Sequence, residues 1–591
     1  MKTFITTILV LFLATVSVAQ EKKADRLFNK WQYADAAKLY EEAVKKNPSP
    51  DLYYKLGYCY QKMFLYKEAV NAYDQVNNGT SAGTSSYSNP EFYFNYGLML
   101  KANARYEDAK TAFLTYIDKA PNDPRGKFYL ASCDVVLDDM KKPMGVTVTN
   151  LASFNTADAA FLPTKYKHGI VYASNAASST GKKTFPWNDK SYLDMRYAER
   201  DSTSDTTLTD GKPFDADRFN TQYHDGPATF TKNYDTIYFN RVMRSLKGEK
   251  KRTIGVEHSK IFYATLDKDG KWSEEKPFIL NNDSFGVFTP YVTPDGQRIY
   301  FASDMPGGMG ETDIYYCVRE GDKWGRPINL GSNVNTWGRE QYPSLDEDGN
   351  LYFASDGYMG YGGLDIVVSR MVYGGFQKGE VLKAPLNSPG NDYGIMFLKN
   401  KIAGYLSSSR EGGKGDADIY YFNLERDSLP CEVNTSIYVI GFQCKPKELV
   451  AKQDSLTVTP TQPVLSNILI LPIYYDFDKS DIRPDAAQRL DSIINLMKQH
   501  PDWNLEVAGN ADCRGSDQYN LALSQRRADA AIRYASQHGI DKRRMTTKAN
   551  GESQPVNRCV DGVQCSEAEH QQNRRVEFTL ILHTSGPVST R

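Results

Sequence analysis

Two hydrophobic periods divide the chain, one helical and one alternating, and they occupy different stretches. Over residues 20–140 the apolar positions recur at helical spacing. Ala36, Ala69 and Ala109 each precede an aromatic by four residues: Tyr40, Tyr73 and Phe113. Gly57 and Gly97 each lie twelve residues before such an alanine, and Pro48 and Pro121 each close a unit. Small residues there let two helices approach closely while the aromatic fills the space beside them. Asn77 to Pro90, rich in Gly and Ser, is expected as an inserted loop, and Lys127 to Leu137 as a helix capping the stack.

Strand signals replace helical ones over 143–424. Ile299-Tyr-Phe-Ala-Ser-Asp304 followed by Asp313-Ile-Tyr315 recurs as Leu351 to Asp356 with Asp365-Ile366, and again as Gly404 to Ser409 with Asp418-Ile-Tyr420, in steps of 52 and 53 residues. An aromatic turn keeps step with it at Gly270-Lys-Trp272, Asp322-Lys-Trp324 and Gly375-Phe376. Weaker copies lie at Ile237 to Asn240 with Ile261 to Tyr263, and at Ile170 to Ser174 with Met195 to Tyr197. Five repeats of four short strands predict a β-propeller of about five blades, with Val146 to Phe154 leaving room for a degenerate sixth. The Ser-Asp-x-x-Gly-Gly loops, as at Asp304 to Gly308, recur at one blade position, which is how a structural turn behaves.

The last quarter mixes both periods. Ile468 to Tyr475 and Leu505 to Val507 read as strands, 484–499 as a helix with Leu490, Ile493, Ile494 and Met497 on one face, and 517–538 as a second helix capped by Ser516 or Asp517 and stopped by Gly539. Met545 to Ala549 and Val576 to Leu582 add two strands, giving a β-α-β-α-β-β sandwich over 468–583. The fold class predicted for the whole is therefore multidomain: all-α repeats, an all-β ring, then an α/β sandwich. Residues 425–467, with a Thr/Pro/Gln stretch at Thr457 to Pro463, read as a connector, and 584–591 as a loose tail.

Each region resembles a known family. The helical units resemble tetratricopeptide (TPR) repeats, whose concave groove binds a peptide or partner helix. The strand repeats look like PD40 (TolB-type, WD40-like) blades, lacking the Gly-His and Trp-Asp marks of true WD40. The C-terminal sandwich resembles the OmpA C-terminal peptidoglycan-binding family. It does so through Ile473-Tyr-Tyr-Asp476-Phe477-Asp478-Lys-Ser480, Gly509 to Asp512, Asn520 to Ala528, the Gly551-Glu-Ser-Gln-Pro555 turn and Asn573 to Phe578. That resemblance implies a seat for diaminopimelate, whose ammonium and carboxylate share one carbon. Asp512 would take the ammonium and Arg527 would fork the carboxylate. Asn520, seven residues before Arg527, shares its helix face, and Asp476, Phe477, Asp478 and either Arg574 or Arg575 complete the rim. Asn510-Ala511 stands where the family usually has His-Thr. The domain order resembles a periplasmic family of Bacteroidetes that includes accessories of the type IX secretion system. The connector here is short for that family's additional β domain, and no lipobox is present.

Composition narrows the reading further. A formal net charge of −1 supplies no basic field for nucleic acid. Seven histidines, none clustered, and no Ser/His/Asp or Cys/His pattern argue against an enzyme, a metal centre or a cofactor. Residues 1–19 read as a signal peptide: Lys2, an apolar run from Ile5 to Val16, then Ser17-Val18-Ala19, with no cysteine following. No later stretch is long and apolar enough for a transmembrane segment. Export permits disulfides; Cys559 with Cys565 and Cys431 with Cys444 are the candidate pairs, whereas Cys513 has no evident partner. The expected protein is a periplasmic scaffold, associated with the outer membrane and cell wall. Its partners are peptidoglycan and, through the TPR groove and propeller, an outer-membrane protein or secretion-system subunits. The alternative is a periplasmic enzyme or ligand sensor whose propeller binds a glycan or peptide.

Overall fold

The computed structural model describes residues 20–78, 87–141, 144–176, 184–242, 258–372, 375–398, 402–424, 466–556 and 559–582. The expected signal peptide, the Cys431/Cys444 pair and the tail lie outside the described residues.

Three antiparallel helix pairs open the chain: 20–28 with Tyr33–Lys46, Pro50–Lys62 with Tyr66–Asn78, and Pro90–Ala102 with Tyr106–Lys119; Pro124–Asp139 closes the stack. Ser49, Asn89 and Asp123 cap three of these helices, each followed by a proline in the first turn where its missing N–H costs nothing. Close packing follows from the spaced glycines. A Cβ on Gly97 would stand 2.6 Å from Phe113 Cε1, and one on Gly57 would stand 2.4 Å from Tyr73 Cε1. Phe113 and Tyr73 are fully buried, so neither ring can move aside. Gly97→Ala is therefore expected to destabilise the stack by about 1–3 kcal/mol, outweighing the roughly 1 kcal/mol that alanine adds to helix propensity. A thermal melt that rises instead of falling would refute the packing argument.

The middle of the chain is a ring of antiparallel sheets, four of them four-stranded and the third five-stranded, with strands in chain order in all but the last and separate two-stranded hairpins inserted in the first and fourth. They begin with Ala160–Tyr166, Asp225–Phe230, Val287–Val292, Glu340–Leu345 and Asp392–Phe397. These first strands touch in sequence, and the fifth touches the first, so the ring closes. Val146–Asn150 does not start a sheet of its own. It pairs antiparallel with Asp418–Leu424 and completes the fifth sheet, which corrects the sixth-unit alternative: the chain's own earlier strand covers the last sheet's open edge.

Two fivefold devices hold the ring, and the sequence reading missed both. Asn220, Asn281, Asn335, Asn387 and Asn155 each accept from and donate to the backbone of one residue in a third strand: Met195, Ile261, Ile314, Ile366 and Ile419 respectively. Each amide thus stands in for a strand neighbour. The first strands all carry an irregular pairing at a residue with positive φ, namely Leu162, Gly226, Thr289, Tyr342 and Gly394. Four of the five are followed by proline, at Pro163, Pro227, Pro290 and Pro343.

Buried acids brace the ring loops. Asp313 accepts from the Met309 and Gly310 N–H groups and from Asn329, and Asp418 repeats the pattern with Lys414, Gly415 and Asn150. Glu340 accepts from Thr336 N–H, Thr336 Oγ1 and Ser355 Oγ, yet burial outweighs these bonds and pushes its pKa up to about 7. A folded-state pKa above the unfolded one means the folded ring binds the extra proton. This group's stabilisation is complete below the unfolded value and is lost as pH rises through about 7. Stability should drop by on the order of 2–3 kcal/mol from pH 4.5 to 7.5, and Glu340→Gln should flatten that slope in pH-dependent melts.

The helices lie against the ring. Tyr129 Oη donates to the Asp356 carbonyl at 3.0 Å, Ser132 Oγ to Gly360 at 3.0 Å, and Asn391 Nδ2 to Tyr66 Oη at 2.7 Å. Tyr361 of the ring belongs to the helical core.

The C-terminal sheet runs Ser466–Tyr474, Arg575–Leu582, Asn504–Gly509, Met545–Ala549, with the last pair parallel. Helices Pro484–Gln499 and Asp517–Gln537 cover it, burying Leu490, Ile493, Ile494, Met497, Ala528 and Ala531 against Val507, Phe578 and Leu580. A seven-residue helix, Glu567–Asn573, precedes the last long strand. Among the described residues, no helix is long and apolar enough to cross a membrane.

Candidate functional site

The ends of the first and third C-terminal strands, the Asp517–Gln537 helix and the Glu567–Asn573 helix converge on one cluster. Ser516 Oγ caps the longer helix by accepting from Tyr519 N–H, which sets its axis so that Asn520 and Arg527, two turns apart, point inward and are buried.

Arg527 is 0% exposed, and its guanidinium is held by neutral groups alone. Nε donates to the Lys479 carbonyl at 2.9 Å, Nη1 to Asn510 at 3.0 Å and Nη2 to Asp476 at 3.3 Å. A guanidinium has five N–H donors, so one remains on each terminal nitrogen. Among the described residues no carboxylate lies within ion-pair distance of it. Burial pushes its pKa down to about 10; Asp512 opposes that fall and Arg574 adds to it. It stays charged at neutral pH.

Asp512 is 3% exposed, and every contact falls on one oxygen. Oδ2 receives Arg574 Nη1 at 2.9 Å and Arg514 Nε at 3.0 Å, with His570 Nδ1 at 4.0 Å. Among the described residues Oδ1 accepts no hydrogen bond. Arg514, absent from the sequence-predicted set, is the outermost of the bases: its side chain is 34% exposed, bridges Asp512 to Glu567 and stacks 4.2 Å over the Phe477 ring. Asp512 and Glu567 pair with Arg514 and Arg574, which leaves Arg527 as the base without an ion-pair partner among the described residues.

The rim divides. Phe477, 53% exposed, lies at the mouth under Arg514. Asp478 takes up positive φ and accepts from Tyr519 Oη, while Asp476 offers its carbonyl inward and its carboxylate to Arg483 at 3.4 Å. Of the two candidate arginines, Arg574 enters the site. Arg575 turns away to Glu577 and the Gln554 carbonyl. Asn520 Nδ2 donates to Glu552, and among the described residues its Oδ1 has no partner. Asn510 is buried and accepts from Asn550, while Ala511 N–H donates to Gly551 at 2.7 Å, so this pair ties the loop to the 550–555 turn. Cys559 and Cys565 are disulfide-bonded beside the site; Cys513 is free, with Sγ 4.0 Å from His570 Nδ1.

Away from this cluster, a cavity of ≈ 400 Å³ opens between the first strands of all five sheets, where Pro163, Pro227, Pro290 and Pro343 line it. Asp346 at its edge is spent on its own turn, accepting from the Asp348 and Asn350 N–H groups.

Residues 474–568 match the OmpA family model. The outer membrane porin F of Pseudomonas fluorescens is 39% identical over 110 residues, covering 19% of this chain and 32% of the porin. The peptidoglycan-associated lipoprotein of Brucella melitensis biotype 1 is 39% identical over 108 residues, covering 18% of this chain and 61% of the lipoprotein. The chain thus spans less than two thirds of either relative. Among solved structures, the peptidoglycan-associated lipoprotein of Burkholderia pseudomallei aligns at 32% identity over 18% of this chain and 88% of that one, with a TM-score of 0.17. The domain that carries the Asp512–Arg527 cluster is therefore OmpA-like.

Proposed function

We propose that the chain is a non-enzymatic periplasmic scaffold whose OmpA-like domain grips a peptidoglycan stem peptide. The observation that carries this reading is the unmatched guanidinium of Arg527 beside the open Oδ1 of Asp512. A free diaminopimelate centre presents a carboxylate and an ammonium on one carbon, and these two groups complement it. The carboxylate takes the remaining N–H on each terminal nitrogen of Arg527, and the ammonium takes Asp512 Oδ1. Both residues are buried, so Arg514 swings off Phe477 to admit the ligand. Relatives named for peptidoglycan association support the same reading. The helices act as a TPR-like stack and the ring as a five-bladed WD40-like propeller, two surfaces that engage an outer-membrane or type IX secretion assembly. The test is sedimentation of the whole chain with purified diaminopimelate-type peptidoglycan, using lysine-type wall as the comparison. Co-sedimentation with the first alone is expected, and failure to sediment with it overturns wall anchoring.

A further inference from the structure

The inner face of the helical stack forms a groove of ≈ 700 Å³ that wall binding does not use. Aromatic rings make its walls: Phe28, Trp31, Tyr33, Tyr54, Tyr58 and Tyr87. Trp31 is 46% exposed, unusual for so large an apolar ring. Tyr54 stands between Tyr58 at 6.4 Å and Tyr87 at 6.0 Å, with the rings inclined at 64° and 54°, and all three line the groove.

Acidic groups line the same groove. Glu21 and Asp51 flank the aromatics, and Asp51 is oriented by the Tyr87 hydroxyl, which donates to it. Among the described residues the one lining cation is Lys55, already neutralised, with Nζ 2.8 Å from Asp25 and 3.5 Å from Glu21. Two lining carboxylates, Glu21 and Asp51, face that one ammonium, which Asp25 outside the lining also neutralises, so the groove is negative. One lining ring already carries a cation: Lys62 Nζ lies 5.1 Å over Tyr58, which leaves Tyr54 and Tyr87 for a ligand. Aromatic faces and spare carboxylates around one space are the requirements for a desolvated alkylammonium or guanidinium.

We infer that this groove takes an extended basic segment of a partner protein, with a lysine or arginine side chain seated on Tyr54 and Tyr87 and its charge facing Asp51. The inference deepens the scaffold reading and rests on it only in placing the partner outside this chain. The test is fluorescence anisotropy of the whole chain with a labelled twelve-residue peptide alternating lysine and glycine, its glutamate counterpart, and chitohexaose as competitor. The lysine peptide should bind and weaken with salt. Asp51→Asn should weaken it at least about fivefold and Tyr54→Ala about tenfold, whereas Glu274→Gln, an exposed acid on the ring, should leave it unchanged. Asp51→Asn lies on the surface, so its result stands even if Tyr54→Ala disturbs packing. Equal binding of the two peptides, an unaffected Asp51→Asn, or displacement by chitohexaose overturns the inference. Lost peptide binding with retained wall sedimentation separates the groove from the wall site. A chain that binds the lysine peptide through Asp51 but does not sediment keeps the groove and removes the wall reading.

Discussion

Asp512→Asn should remove sedimentation with diaminopimelate-type peptidoglycan. The substitution keeps the side chain's size but removes the charge that faces the ligand ammonium across Oδ1. Loss of one ionic contact in so dry a site costs about 2–4 kcal/mol, or roughly 30- to 1,000-fold in affinity. Arg527→Lys should do the same by a different route, because a point charge cannot supply the fork. Asparagine is the better choice than alanine for folding reasons. Arg574 is buried against Asp512 Oδ2 at 2.9 Å, and truncating the acid would strand that guanidinium. An amide oxygen still accepts from it. The control is therefore a melt of the variant alongside the pull-down: a folded Asp512→Asn protein that sediments like wild type would exclude this pair as the wall contact. Arg514→Ala gives the complementary outcome, since it uncovers the pair while leaving Asp512 its bond from Arg574, and it should speed association.

The legible parts of this architecture were those in which one local pattern had one physical cause. Helix Pro484–Gln499 was visible because a single apolar face meets a sheet, and the glycine-to-aromatic spacing was visible because close packing tolerates nothing larger at Gly57 and Gly97. The asparagine clamps were not. Each is a lone residue in a turn whose partner lies in another strand, 20 to 264 positions away, and no local period marks it. The four X-Pro steps of the inner strands did carry a signal, since proline is unusual inside a ladder unless the strand is irregular there. At the site, Ser566 and Glu569 spell a capping box three residues apart, which announces the short Glu567–Asn573 helix. That helix decides which of two adjacent arginines points inward: Arg574 still belongs to its end, whereas Arg575 starts the strand and faces Glu577. Arg514 was hidden for another reason. One arginine in a chain with 71 basic residues is unremarkable until the loop folds it back over Asp512 and Phe477.

Gly509→Ala should unfold the OmpA-like domain's site before it affects anything else in the chain. Gly509 ends the Asn504–Gly509 strand where it crosses the Asp517–Gln537 helix, and an added Cβ would lie 2.0 Å from the Ser524 carbonyl oxygen and 2.8 Å from its carbon. The obstacle is backbone, so no rotamer change relieves it; strand and helix must part by about 1 Å. Ser524 cannot yield alone, because its Oγ receives the Gly551 N–H at 2.9 Å and so fixes the 550–555 turn. Ala528 and Val507 fill the same junction and are fully buried. Overpacking of this kind costs about 3 kcal/mol or more, which in a domain of this size lowers its melting point by more than about 10 °C. The residues that follow the crossing are Asn510, whose carbonyl holds Arg527 Nη1, and Asp512 itself. Parting the crossing therefore pulls the two ligand-facing charges out of register, and sedimentation should weaken even at temperatures where the domain is still folded. The atoms nearest that Cβ all belong to the domain itself, so the melting transition of helices and ring should stay in place. If both transitions stay in place and the variant sediments like wild type, the strand–helix contact does not set the geometry of the site.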